Sequence, residues 1–97
     1  MSALTHVARI KLEANDGIVL LQGETPTGDA VYAYVRADAE DIEHMISACE
    51  AGVPVDYSKY KEIIKHDWGD EPSNNVKIFM EDNYGFHHGQ FSNVTYP

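Results

Sequence analysis

The feature that most constrains this chain is the run Ile18-Val19-Leu20-Leu21, held between the turn clusters Asn15-Asp16-Gly17 and Thr25-Pro26-Thr27-Gly28-Asp29. The interval is too short for a helix and reads as a strand over residues 17–24. Successive side chains of a strand point to opposite faces. Four apolar positions in a row therefore predict a strand covered on both faces rather than one lying half in water.

Both flanks support a sheet. Residues 5–14 (THVARIKLEA) alternate Ala8, Ile10 and Leu12 with Arg9, Lys11 and Glu13, the period of a half-buried strand. Residues 30–36 (AVYAYVR) are rich in β-branched and aromatic side chains. Gly17 suits a turn position of positive φ. The simplest arrangement is a three-stranded antiparallel meander over about 5–14, 17–24 and 30–36.

The period then changes. Asp38 is a natural N-cap, and Ile42, Met45, Ile46 and Cys49 recur at helical spacing until Gly52 and Pro54, predicting a helix over about 39–51. Asp56 would cap a second helix over about 57–66, with Tyr57, Tyr60, Ile63 and Ile64 on one face and Lys59, Lys61, Glu62 and Lys65 on the other. Ser73 would cap a third over about 74–84, with Val76, Phe79 and Met80 as its apolar face and Gly85 as its stop. Strands first and helices after predict an α+β domain. Ninety-seven residues is a one-domain length. The expectation is one domain over 1–97, two or three helices packed on one sheet face, and a less regular aromatic tail at 86–97. That arrangement would leave Val19, Leu21, Tyr32 and Tyr34 needing a second cover. Either the tail residues Phe86, Phe91 and Tyr96 supply it, or a second copy of the chain does, as a homodimer.

Charge narrows the function classes. Sixteen Asp and Glu face seven Lys and Arg, a net charge of −9. This balance argues against direct nucleic-acid binding and against anionic membranes, both of which need clustered cations. It suits a basic protein partner. The single cysteine, Cys49, allows no internal disulfide. The opening MSALTHVARI lacks the pattern of a secretory leader, and no apolar run approaches the ~20 residues of a membrane helix. A cytoplasmic setting is the expectation.

Candidate sites follow from the same map. From Ala37 to Asp56 there are six carboxylates and no Lys or Arg. Asp38, Glu40 and Asp41 complement the helix dipole, but Glu43 and Glu50 lie beyond its reach. Glu40, Glu43 and Glu50 point away from the apolar stripe and form an acidic face. A 30 Å length of duplex DNA carries roughly 18 charges, so mimicry of DNA would be partial and confined to this helix. The segment His66-Asp67-Trp68-Gly69-Asp70-Glu71 reads as a loop. Its tryptophan either anchors the loop in the core or presents an interface hot spot beside Asp70 and Glu71. His66, Asp67 and Asp70, joined by His87 or His88, form an alternative metal- or ligand-binding set. The chain has no HExxH, paired-cysteine or calcium-loop spacing, and no glycine-rich phosphate loop or GxSxG elbow. Cys49, on the apolar stripe of an acidic helix, reads as a core residue and not a nucleophile. No cofactor is implied and no catalytic residue stands out. The leading expectation is a non-catalytic interaction module that binds a basic partner through Glu40, Glu43, Glu50, Trp68, Asp70 and Glu71.

Overall fold

The computed structural model describes residues 3–15, 17–89 and 93–95. A single-turn 3-10 helix (Ala3–Thr5) leads into β1 (His6–Asn15), β2 (Ile18–Glu24) and β3 (Ala30–Arg36). There follow α1 (Ala39–Glu50), the short β4 (Val55–Asp56), a second 3-10 turn (Tyr57–Lys59), β5 (Glu62–Trp68), α2 (Asn74–Tyr84) and β6 (Asn93–Thr95). Five antiparallel strands in the order β4-β1-β2-β3-β5 make a curled sheet, a half-barrel, and β6 also pairs with β1.

The three-stranded meander with two or three helices on one face is therefore corrected. The predicted helix over 57–66 is instead a 3-10 turn and strand β5, and α1 and α2 are the only α-helices among the described residues. The reason lies in β3, which is buried along Val31–Val35 and carries backbone donors and acceptors on both of its edges. Those on the edge away from β2 need partners, and β5 supplies them from Val31↔Trp68 to Arg36↔Glu62. Asp56 does cap, accepting from Ser58 N, but the turn it caps is three residues long. A register shift between Tyr34↔Lys65 and Val35↔Ile63 leaves Ile64 as an extra residue in β5. This bulge breaks the period of two, so the stretch reads as helical from sequence.

The helices are not on one face either. Val19, Leu21, Val31, Ala33 and Val35 join Ile10, Leu12 and Met45 in one buried cluster, against which Ile42, Ile46 and Cys49 of α1 pack. Ile18, Leu20, Tyr32 and Tyr34 form the opposite face with Met80 of α2 and with Phe86. One helix on each face answers the demand of the doubly apolar strand β2. It also divides the four residues expected to share an uncovered face: Val19 and Leu21 lie towards α1, Tyr32 and Tyr34 towards α2, and all four are buried. Phe86 contributes to that cover, while Phe91 and Tyr96 lie outside the described residues.

The curl has a local origin. Arg9 takes φ 55° at a bulge in β1, between the pairs Ala8↔Glu24 and Lys11↔Gln22. Gly23 sits opposite, where a Cβ would come within 2.8 Å of the Ala8 carbonyl oxygen. Backbone there cannot yield as the tip of a side chain would. Gly23→Ala should therefore destabilise the fold by about 1–3 kcal/mol, read as a lower midpoint in denaturant with an unchanged slope. A midpoint equal to wild type would show that the bulge relaxes freely.

Candidate functional site

Trp68 is the last residue of β5, not part of a loop. Its backbone is held along the edge that faces β3. It pairs in register with Val31, and the Gly69 N–H continues the ladder by donating to Ala30 O at 2.9 Å. Gln22 Nε2 donates to Asp70 O at 3.2 Å, tying the departing chain to β2. The indole is nevertheless 53% exposed. This rules out the core-anchor alternative. Beside it an open hollow of about 390 Å³ is lined by Asp29, Ala30 and Trp68. Asp29 and Asp70 are exposed in the flanking segments, whereas Asp67 lies on the opposite face of the sheet and Glu71 lines a cleft on the α2 side, paired with Lys77. The corner thus presents an exposed aromatic plate with one carboxylate, Asp29, in the hollow beside it.

The acids of α1 form a separate surface. Glu40, Glu43 and Glu50 are exposed, while Met45 is fully buried beneath them. Glu50 lies in the last turn, where the helix dipole disfavours a negative charge. Asp38 closes a capping box: its Oδ1 accepts from Asp41 N at 3.0 Å, and the bond holds its carboxyl below the ordinary carboxylate range, with Lys61 assisting at 3.4 Å. α1 begins just past Arg36, whereas Trp68 pairs near the start of β3. Five residue steps of strand separate the two ends, roughly 17 Å. The acidic helix start and the tryptophan are therefore two patches, not one.

The histidines are dispersed. Cross-strand register puts His66 opposite Ala33, on the α1 side of the sheet, and Asp67 opposite Tyr32, on the α2 side. His66 Nδ1 lies 3.0 Å from the hydroxyl of the buried Tyr57. That hydroxyl donates to Leu4 O, so the imidazole must offer Nδ1–H to the phenol oxygen. Tyr57 thereby links the chain before β1 to edge strand β5, and burial pushes its pKa up to about 12. His88 sits on the far side of the sheet. Its Nε2 meets the Tyr34 hydroxyl at 2.8 Å and its Nδ1 meets Glu81 Oε2 at 3.2 Å, with the ring 4.8 Å from that of Phe86. His87 is exposed. The set His66, Asp67, Asp70 with His87 or His88 is thus not brought together. Among the described residues no three His, Cys, Asp or Glu side chains gather as metal ligands.

The Glu81–His88–Tyr34 chain has the connectivity of a proton relay, but Tyr34 is fully buried and desolvation raises its pKa strongly. It works as a tie between α2 and the sheet. A neighbouring cleft of about 270 Å³ has Lys11 in its lining, while most of its other polar side chains are engaged within the fold. Glu13 there accepts from Gly89 N, Lys77 pairs with Glu71 at 3.9 Å, and Gln22 is engaged with Asp70. Cys49 is half-buried in the α1 contact, and desolvation raises its pKa, the opposite of an activated thiol.

Sequence reading missed one surface. Phe79, expected on the apolar face of α2, is 46% exposed, and Ile78 is 54% exposed. The signal was present: Val76 and Met80, four residues apart, already complete the inward stripe.

Asp38 supplies a pH test of α1. A depressed carboxyl pKa stabilises the fold at pH above its unfolded value, and the contribution is lost as pH falls through the folded value. Asp38→Ala should lower the melting temperature at pH 7 and have progressively less effect in acid below the ordinary carboxylate range. An equal loss at both pH values would show that the charge of the cap is irrelevant.

No protein-family model, curated protein or solved structure matches this chain.

Proposed function

We propose that this protein is a non-catalytic protein-binding module whose partner is basic, with the Trp68 corner as the principal contact. The observation that carries the reading is the half-exposed tryptophan on a paired strand end, beside a hollow that Asp29 also lines. Tryptophan is among the residue types that dominate interface energetics, and an ordered backbone lowers the entropy lost on binding. Its indole N–H has no partner among the described residues, which leaves a directional donor for an incoming carbonyl.

Charge supports the same reading. Four of the seven cations are engaged within the fold: Arg9 with Glu24, Arg36 with Glu62, Lys61 with Asp38 and Lys77 with Glu71. The acids that stay outward, Glu40, Glu43 and Glu50 on α1 and Asp70 beside Trp68, give a field that attracts cations. Such a field accelerates association more than it deepens affinity. A 12-residue helix is about 18 Å long, a span over which duplex DNA carries roughly ten charges. Three glutamates are a poor substitute, so the basic partner is read as a protein surface and not as an enzyme that grips DNA. No helix among the described residues is long and apolar enough to cross a membrane. A single thiol suits a reducing compartment, and a cytoplasmic setting belongs to this proposal.

The test is capture by the immobilised full chain at about 0.1 M and about 1 M salt, between which the Debye length falls from ~10 Å to ~3 Å. Wild type should retain a basic protein at the lower salt and lose most of it at the higher. Trp68→Ala should weaken that complex by at least ~30-fold, equivalent to about 2 kcal/mol. Charge reversal at Glu40, Glu43 and Glu50 should mainly slow association. A captured set identical for wild type and Trp68→Ala would reject the corner as the contact.

A further inference from the structure

We propose that the cleft between the sheet and the start of α2 binds the zwitterion of a small apolar α-amino acid, at a site independent of the Trp68 corner. Register places its chemistry. Glu13 pairs with Leu20 and Lys11 with Gln22, and Leu20 belongs to the cluster on the α2 side. Lys11 and Glu13, two positions apart on β1, therefore both project to that side, and both line the cleft together with Lys77 of α2. Glu13 is the telling residue. It is only 6% exposed, and its Oε1 accepts from Gly89 N. Its Oε2 has no partner among the described residues, yet none of their enclosed side-chain oxygens lacks one. Oε2 is thus open to the cleft. A nearly buried carboxylate oxygen costs free energy until a donor completes it. Lys11 makes no ion pair among the described residues. Lys77 stands 3.9 Å from Glu71, beyond hydrogen-bond distance, so its ammonium donors are unspent.

The ligand is defined by charge and size. Lys11 and Lys77 share the lining with Glu13 and Glu71. A simple anion would meet both glutamates, in a molecule already at −9, and a simple cation would meet both lysines. A zwitterion suits all four: its ammonium donates to Glu13 Oε2, and its carboxylate accepts from Lys11 and Lys77. Lys11 and Glu13 stand about 7 Å apart along β1, and a ligand with both charges on one carbon fits between their heads. A peptide end carries one of the two charges and would leave Lys11 or Glu13 without a partner. Leu20 and Pro72 are buried and supply the apolar walls. The cleft of about 270 Å³ is the room of about nine waters at ~30 Å³ each. It therefore takes a ligand of no more than about nine non-hydrogen atoms, the size of valine, leucine or methionine.

The experiment is calorimetric titration of the full chain with L-valine, L-leucine and L-methionine. The best binder is then compared with its N-acetyl form, which lacks the ammonium, and its amide form, which lacks the carboxylate. At least one amino acid should bind with a millimolar or tighter dissociation constant, and each blocked form should bind at least ~10-fold more weakly. Glu13→Gln keeps an acceptor for Gly89 N. It should weaken the amino acid at least ~10-fold and leave the N-acetyl form unchanged, a split that loss of structure would not give. Lys11→Gln, at an exposed position, should weaken the amino acid and leave the amide form unchanged. Trp68→Ala should have no effect. Absence of binding by all three amino acids, a blocked form as tight as its parent, or wild-type affinity in both glutamine variants would overturn the site. Loss of binding in Trp68→Ala would move the ligand to the corner and likewise overturn it.

Discussion

Everything in this fold answers to one constraint: β2 is apolar on both of its faces. Ile18, Val19, Leu20 and Leu21 are each buried, and at about 25 cal/mol per Å² of apolar area, exposing either face would cost several kcal/mol. The chain meets this by placing one helix on each side of the sheet. The curl set by the bulge at Arg9 lets the strands wrap around α1, and the Tyr57 hydroxyl ties edge strand β5 to the chain before β1. On the other side α2 is held by Met80, Phe86 and the Glu81–His88–Tyr34 chain.

That arrangement decides which groups remain for function. The residues with the chemistry of a site, His66, His88, Tyr34, Tyr57 and Glu13, are engaged in holding strands and helices in place. What faces solvent includes a tryptophan at a strand end, Ile78 and Phe79 on α2 and glutamates on α1. In the polar cleft beside α2, Glu13, Lys77 and Gln22 are each engaged with other groups of the fold.

Much of this was legible in the sequence, and the losses have definite causes. The four-residue apolar run announced a strand covered twice, and Asp38, Ser73 and Gly85 marked helix ends that the structure keeps. The stretch 57–66 was misread because Tyr57, Tyr60, Ile63 and Ile64 fit a helical face in isolation. Only the unpaired edge of β3, a tertiary fact, selects a strand there. Trp68 was misplaced with it, as a loop tryptophan is a natural anchor while a strand-end one can stand in solvent. The acidic outer face of α1 needed no tertiary information. The dispersal of the histidines over two sheet faces needed all of it, since adjacency in sequence, as at His66-Asp67, means opposite sides once the segment is a strand.

The claim at the centre of this account is that Trp68 stands in solvent in the free protein, on a sheet whose two faces are covered within one chain. It is the sole tryptophan, so its fluorescence reports this corner alone. The account predicts a red-shifted emission maximum, independent of protein concentration, with acrylamide quenching well above that of a buried tryptophan and below that of the free amino acid. A blue-shifted emission protected from acrylamide, whether in the isolated chain or growing with concentration, would contradict it.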